Sequence, residues 1–274
     1  MSGIRIRNTA IEDVPNIVEM HADGFGPWTA LEIGCRPAIQ HRLDRPFICQ
    51  VAEQDGQAVG HAEWIVGEEP GSDRFLYLGM IQIRPDRRGH GIGKVMLEHG
   101  RAEAESLGGG FLRTVPEEDV ETFYARCGFS QTGHITESTI PVEPRPVSDG
   151  WESIGAVPAD VARNVPMRIG WTQACATHTW EIANRPMNIA DQTWHHPTWT
   201  QPETNTWLQL RYANHDSALP IVWSSSDTPI GVLVHSSLHF ADGAGIESLY
   251  LAFRDDDRPA DLKVDATPQI VDRV

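Results

Sequence analysis

Residues 83–94 read IRPDRRGHGIGK, and the reading of this stretch decides how the rest of the chain is understood. An apolar run, Phe75 to Ile83, precedes it, and an amphipathic segment, Gly91 to Leu107, follows. That order spells strand, glycine-rich turn, helix. Gly89, Gly91 and Gly93 alternate, so few side chains screen the backbone N–H groups of the turn. The first turn of a helix carries unpaired N–H donors and a partial positive charge, and a bare turn lets an anion reach them. Arg87, Arg88 and Lys94 add formal positive charge at the same place. The expected guest is a phosphate or pyrophosphate. Two nucleotide readings fail on spacing. A Walker loop needs four residues between its first Gly and the Gly-Lys, then Ser or Thr; three separate Gly89 from Gly93, and Val95 follows Lys94. A dinucleotide fingerprint needs a third Gly three places after the second, where Lys94 or Met96 stands.

A second stretch lies downstream. In VETFYARCGF, residues 120–129, Val120, Phe123, Tyr124 and Cys127 share one helical face, and Gly128 followed by Phe129 reads as a Schellman-type helix exit. Arg88-x-x-Gly91-x-Gly93 resembles the acyl-CoA pyrophosphate loop of the GNAT superfamily, the acetyl-CoA-dependent N-acyltransferases. FYARCGF resembles that family's second signature, in the expected order. The resemblance covers residues 1 to about 140. It implies an α/β fold of the α+β type, with a mixed, splayed central sheet flanked by helices. The central strand parts from its neighbour there, and the pantetheine arm lies in the gap like an added strand. Acetyl-CoA is thereby implied as acyl-donor co-substrate. It would be held by Arg87, Arg88, Gly89, His90, Gly91, Ile92, Gly93 and Lys94, and by backbone groups of Ile81, Gln82 and Ile83. Gly79 inside the strand fits a bulge or a close backbone approach.

The implied reaction is transfer of an acetyl group to a primary amine of a small molecule or peptide, by direct attack in a ternary complex. A lysine-like amine is protonated at pH 7, and removing that proton costs about 4.6 kcal/mol. A base or water relay, N–H donors for the oxyanion and an acid for the leaving thiolate are therefore needed. By resemblance Tyr124 is the acid; the alternative is a core tyrosine on an amphipathic helix. The run Leu76 to Ile83 offers no carboxylate for the base. Glu63 on the preceding strand is the substitute, with His61 on the same side by alternation. The resemblance also makes the loop after the first helix a wall of the acceptor pocket, with His21, Asp23 and Trp28 as lining residues. No metal is expected: His195 and His196 are adjacent, with no Cys or carboxylate at a zinc spacing.

The remaining chain is read around these stretches. Ile4-Arg5-Ile6-Arg7 alternates as a half-buried strand, and Thr9 with Glu12 has the spacing of a capping box before a helix that contains Pro15. A short helix is expected over 31–43. Phe47 to Glu53 and Ala58 to Val66 read as a hairpin turned at Asp55-Gly56. PVEPRP, residues 141–146, reads as a linker, which divides the chain into a CoA-binding catalytic domain, 1–145, and a smaller α+β lobe, 146–274. Seven of nine tryptophans lie after residue 150, marking a change of composition. Residues 159–183 are expected to be helical despite Pro166, and 185–206 irregular. IVWSSSDTPIGVLVHSS can be laid on CQVAEQDGQAVGHAEWI, and ESLYLAF on FLYLGMI, suggesting a tandem arrangement with a degenerate second copy. Arg254-Asp-Asp-Asp-Arg258 then stands where the glycine loop would be, and would repel a pyrophosphate.

Composition bounds the answer. A chain of 274 residues with 40% hydrophobic content can bury the cores of two domains. The net charge of −16 argues against nucleic acid or an anionic membrane as partner. No apolar run approaches the ~20 residues of a membrane span, the first twenty residues lack a signal-peptide core, and four scattered cysteines without a CxxC pair suit reduced thiols in the cytoplasm. Three readings stay open: an N-acetyltransferase, a non-catalytic acyl-CoA-binding regulatory module, and a structural role in which the Trp-rich lobe makes a homodimer.

Overall fold

In the computed structural model, the described residues are 3–25, 47–108, 110–116, 120–170, 175–183, 188–189, 192–193, 196–212, 216–225, 227–254 and 269–273. The first half contains β1 (Arg5–Asn8), α1 (Val14–Phe25), β2 (Phe47–Gln54), β3 (Gln57–Gly67), β4 (Phe75–Ile83), α2 (Ile92–Ser106), β5 (Leu112–Thr114), α3 (Glu121–Arg126) and β6 (Ser130–Pro141). The second contains β7 (Glu152–Ile154), α4 (Ala159–Asn164), β8 (Met167–Ile169), α5 (Ala176–Ala183) and the two-residue strands β9 (Asn188–Ile189) and β10 (Gln192–Thr193). After these come β11 (Thr198–Gln201), β12 (Thr206–Tyr212), β13 (Ser217–Trp223), α6 (Ile230–Gly243), β14 (Ser248–Arg254) and β15 (Gln269–Arg273).

Local chemistry accounts for the turns. Asp55 and Gly56 both take positive φ, 54° and 77°, giving a two-residue hairpin whose twist matches its strands. Gly128 has φ 90°, with its N–H on the Ala125 carbonyl and that of Phe129 on Tyr124, so the helix exit read from the sequence is formed. The cap before α1 differs from expectation. Asp13, not Glu12, accepts the Ala10 N–H at 2.8 Å, and Arg7 holds the same carboxylate at 2.6 and 2.8 Å. Pro15 falls in the first turn of α1, where its missing N–H removes no helix bond.

Among the described residues one sheet of thirteen strands runs β1-β2-β3-β4-β5-β15-β6-β14-β13-β12-β11-β7, with β8 beside β13. Read from either end, the order is nearly palindromic. Each side has antiparallel neighbours and one parallel pair, β4 with β5 and β13 with β14. Each parallel pair is joined through a helix, α2 or α6. The halves share strands: β15, from the end of the chain, lies between β5 and β6, and β6 pairs with β14 over seven residues. The fold is thus a mixed sheet flanked by helices, present twice.

This topology corrects the internal alignment. GVLVHSS belongs to α6, not to a returning strand, and β14 follows its helix as β5 follows α2. The counterpart of the glycine loop is therefore residues 224–229, SSSDTP, and not Arg254–Arg258. Residues 159–183 break into α4, β8 and α5, with Pro166 leading into β8. The segment expected as a helix over 31–43 lies outside the described residues.

The sheet of the first half is covered on both faces. On one, α2 packs Ile92, Met96 and Leu97 against Trp64, Leu76, Leu78 and Leu112. Gly100 is required there, because a Cβ would lie 2.5 Å from the Trp64 ring. On the other, α1 sets Ile17 and Met20 on Val51 and Ala58, and Cys175 joins Phe47, Ile65, Phe75 and Tyr77. Burial of each large side chain contributes about 1.5–3 kcal/mol.

Candidate active site

The gap between β4 and β5 follows from their lengths. They pair at only two positions, Leu76 with Leu112 and Tyr77 with Arg113, and then β5 ends while β4 continues to Ile83. Opposite β3 the register shifts between Glu63 and Trp64, leaving Gly79 as the extra residue of a bulge. Beyond it the ladder is regular, and the Arg84 N–H donates to Val59 at 3.0 Å. Alternation then turns Gln82's backbone groups toward β3 and those of Ile81 and Ile83 toward the open edge. The Gln82 side chain lies instead against α1, where Gly24 makes room for it.

The loop after β4 ends in Gly91, which has φ 80° and precedes α2 with no side chain capping the helix. Gly89 has φ 78°, and no heavy atom lies within 4 Å of where a Cβ would be at either glycine. Gly93 has a different duty: a Cβ there would stand 3.0 Å from Phe123, so it allows α2 and α3 to approach. Ile92 is buried in the core and offers the loop only its backbone. Arg88 Nε donates to the Ile83 carbonyl at 3.1 Å, and His90 Nδ1 sits 2.9 Å from the Arg88 carbonyl. Asp86 is paired with Arg84 and Arg87, and Lys94 lies 3.7 Å from Glu98. The loop can offer an anion backbone N–H groups at a helix start with cations at its rim.

Tyr124 is buried on α3, edge-on to Phe123 and Phe129 at 5.1 and 5.3 Å. Burial, aided by Cys175 and Tyr124, raises the Tyr77 phenol far above its usual value, so it stays neutral. The face of β2 and β3 turned to α1 carries Cys49, His61 and Glu63, all buried, whose donor atoms lie within 4.8 Å of one another. His21 Nε2 is 2.8 Å from His61 Nδ1. His21 and Asp23 sit in the last turns of α1 rather than in a loop, because the helix runs on through Gly24 to Phe25. Asp23 also borders a cleft of about 370 Å³ with Met20, Arg84 and Asp86. Trp28 and His195 lie outside the described residues.

Sequence reasoning missed a residue at the bulge. His178, from α5 of the second half, is buried beside Gly79, with its ring 5.1 Å from Tyr77. Nothing in ATHTWEIA marks it; only the packing of α5 on β3 and β4 brings it there.

The equivalent gap in the second half is filled. β13 and β14 pair at Ser217–Ser248 and Ala218–Leu249 and then diverge. β8 pairs with β13 through Ile169–Val222 and Met167–Trp223, and the Gly170 N–H reaches the Ala252 carbonyl of β14 at 3.2 Å. Arg168 donates to the carbonyls of Ser225 and Thr228 at 3.0 and 3.3 Å, in the loop before α6.

Residues 45–131 match the family described as acetyltransferase (GNAT) domain. This segment is where the sequence matches the GNAT domain family. It contains the gap, the Gly91 turn and Tyr124. The whole chain resembles solved structures of the same architecture at low identity. A GCN5-related N-acetyltransferase from Kribbella flavida superposes with TM-score 0.64 at 14% identity, over 99% of this chain and 71% of that one. One from Anabaena variabilis gives 0.65 at 13%, over 99% and 72%. A tandem GNAT protein from the clavulanic acid biosynthesis pathway gives 0.58 at 14%, over 99% and 98%. No curated protein matches the sequence. These likenesses extend the GNAT-type fold over both halves. No helix among the described residues is long and apolar enough to cross a membrane.

Proposed function

We propose that this protein transfers an acetyl group from acetyl-CoA to a primary amine of a small molecule or peptide, by direct attack in a ternary complex. The observation that carries the reading is the open edge of β4 leading to the Gly91 turn. A pyrophosphate fits the uncapped start of α2, and a pantetheine arm fits beside Ile81 and Ile83, whose N–H and C=O groups face the gap. The arm would run from the loop toward Tyr77, where the gap closes, bringing the thioester near the Gly79 bulge. The Ile81 N–H would meet the developing oxyanion, and the Tyr124 hydroxyl would protonate the departing thiolate. His21, His61, Glu63 and Asp23 would line the acceptor side. Residues 1–145 form the catalytic unit in this reading, and 146–274 a lobe without a working cofactor site. The buried cysteines Cys49, Cys127 and Cys175, none in a disulfide, suit a reducing cytoplasm.

The test is release of thiol from acetyl-CoA in the presence of a panel of small primary amines, with the acetylated amine detected by mass. Acetyl-amine formation matching thiol release is expected. Failure to bind acetyl-CoA at all would overturn the reading.

A further inference from the structure

The side chain that stands over the β4 bulge comes from the other half of the molecule. A Cβ on Gly79 would lie 3.3 Å from His178 Nε2, 3.7 Å from its Cε1, and 3.8 Å from the Glu63 carbonyl oxygen. The bulge is thus a place where backbone without a side chain faces an imidazole nitrogen. The ring is held on two further sides, tilted over Tyr77 at 5.1 Å and edge-on to Phe47 at 6.5 Å. Its helix is pinned across the halves, since Thr177 Oγ1 donates to the Glu68 carbonyl and accepts from the Glu68 N–H, both at 3.3 Å. The same connection that fills the second half's gap with β8 continues into α5 and delivers this histidine.

We propose that His178 is the general base of the transfer reaction, a catalytic residue supplied by the second half to a cofactor site in the first. The inference rests on the acetyl-CoA reading above. The gap closes at Tyr77, two residues from Gly79, so a thioester carbonyl reaching its end comes beside Nε2. Two protons leave the amine nitrogen. Nε2 takes the first from the ammonium, freeing the lone pair, and gives it up to solvent once the products have left. That pair forms the N–C bond, the carbonyl electrons move to oxygen, and their return expels sulfur as the C–S bond breaks. Tyr124 protonates the thiolate, and the second amine proton, shed to solvent, balances the one the phenol regains. Glu63 then has no need to act as the base, and its burial on the acceptor face is that of a lining residue.

The test uses the full chain, acetyl-CoA, and two probe amines: benzylamine, protonated at pH 7, and aniline, unprotonated there. For His178→Gln, acetyl-CoA affinity should stay at the wild-type value while kcat with benzylamine falls about 10²-fold or more. The rate with aniline should fall far less, because no proton has to be removed before attack. Should the Gln variant fail to fold, His178→Asn keeps a polar group in the same position and is read in the same way. An equal loss on both amines, or no loss on either, would overturn the role of His178. Wild-type protein that binds acetyl-CoA yet acetylates neither probe would overturn the transfer reading itself, and this inference with it.

Discussion

Two tyrosines and a cysteine set the chemistry that the proposed site can perform. The Cys175 thiol packs with Phe47, Ile65, Phe75 and Tyr77, and burial pushes it up to about 12, so it is a neutral thiol at pH 7. An acyl-cysteine intermediate there is disfavoured, because the thiolate is the nucleophile. This agrees with the proposed direct attack by the amine. Tyr77 stays neutral, with its ring 5.1 Å from that of His178, the proposed base. Tyr124→Phe removes one hydroxyl and almost no volume. We expect kcat to fall by the ~10²–10⁴-fold typical of a lost general acid, with the KM for acetyl-CoA little changed. Steady-state kinetics on a folded variant decide it, and wild-type kcat would return Tyr124 to the status of a core residue. The helix that carries Tyr124 was legible in the sequence because its exit is local. His178 was not, because its neighbours lie about a hundred residues away in the chain.

Elements were legible where local and tertiary demands agree. The Asp55-Gly56 hairpin and the Gly128 exit rest on positive φ that glycine or Asp tolerates, and the bulge at Gly79 on a close approach that a glycine leaves open. The end of α1 was misread because Gly24 looks like a breaker, yet its missing Cβ is what lets the helix lie against Gln82. GVLVHSS was misread because a short apolar run fits either period; α6 buries Leu233, Val234, Ser237, Leu238 and Ala241, a helical face. The start of α1 supplies a stability test. The hydrogen bond from Arg7, stronger than the opposing effect of burial, holds the Asp13 carboxyl below its usual range. Its contribution is therefore complete above the unfolded pKa of ~3.9 and is lost as pH falls through the lower folded value. Asp13→Asn should cost about 1–3 kcal/mol near pH 7 and progressively less as the medium is acidified. Urea midpoints across that range measure it; a pH-independent difference would contradict the assignment.

At the scale of the whole molecule, a near-palindromic sheet carries two gaps of the same design and different contents. Between β4 and β5 the open edge of Ile81 and Ile83 leads to a bare Gly91 turn. Between β13 and β14 the chain's own β8 takes the edge, and Arg168 occupies the loop before α6. In the sequence the acidic run at 254–258 argues against a second pyrophosphate site, but it is not the equivalent loop. The filled gap gives a separate physical reason to expect a single site, and pairing between segments some fifty residues apart leaves no local trace in the sequence. The central claim is tested most directly by calorimetric titration of the full chain with acetyl-CoA, alongside Gly91→Asp. That variant keeps a tolerable left-handed residue, at about 1–2 kcal/mol of strain, with open space around it, but sets a carboxylate where the pyrophosphate should lie. We predict one acetyl-CoA per wild-type chain and none for the folded variant; two per chain, or unchanged affinity in the variant, would contradict the account.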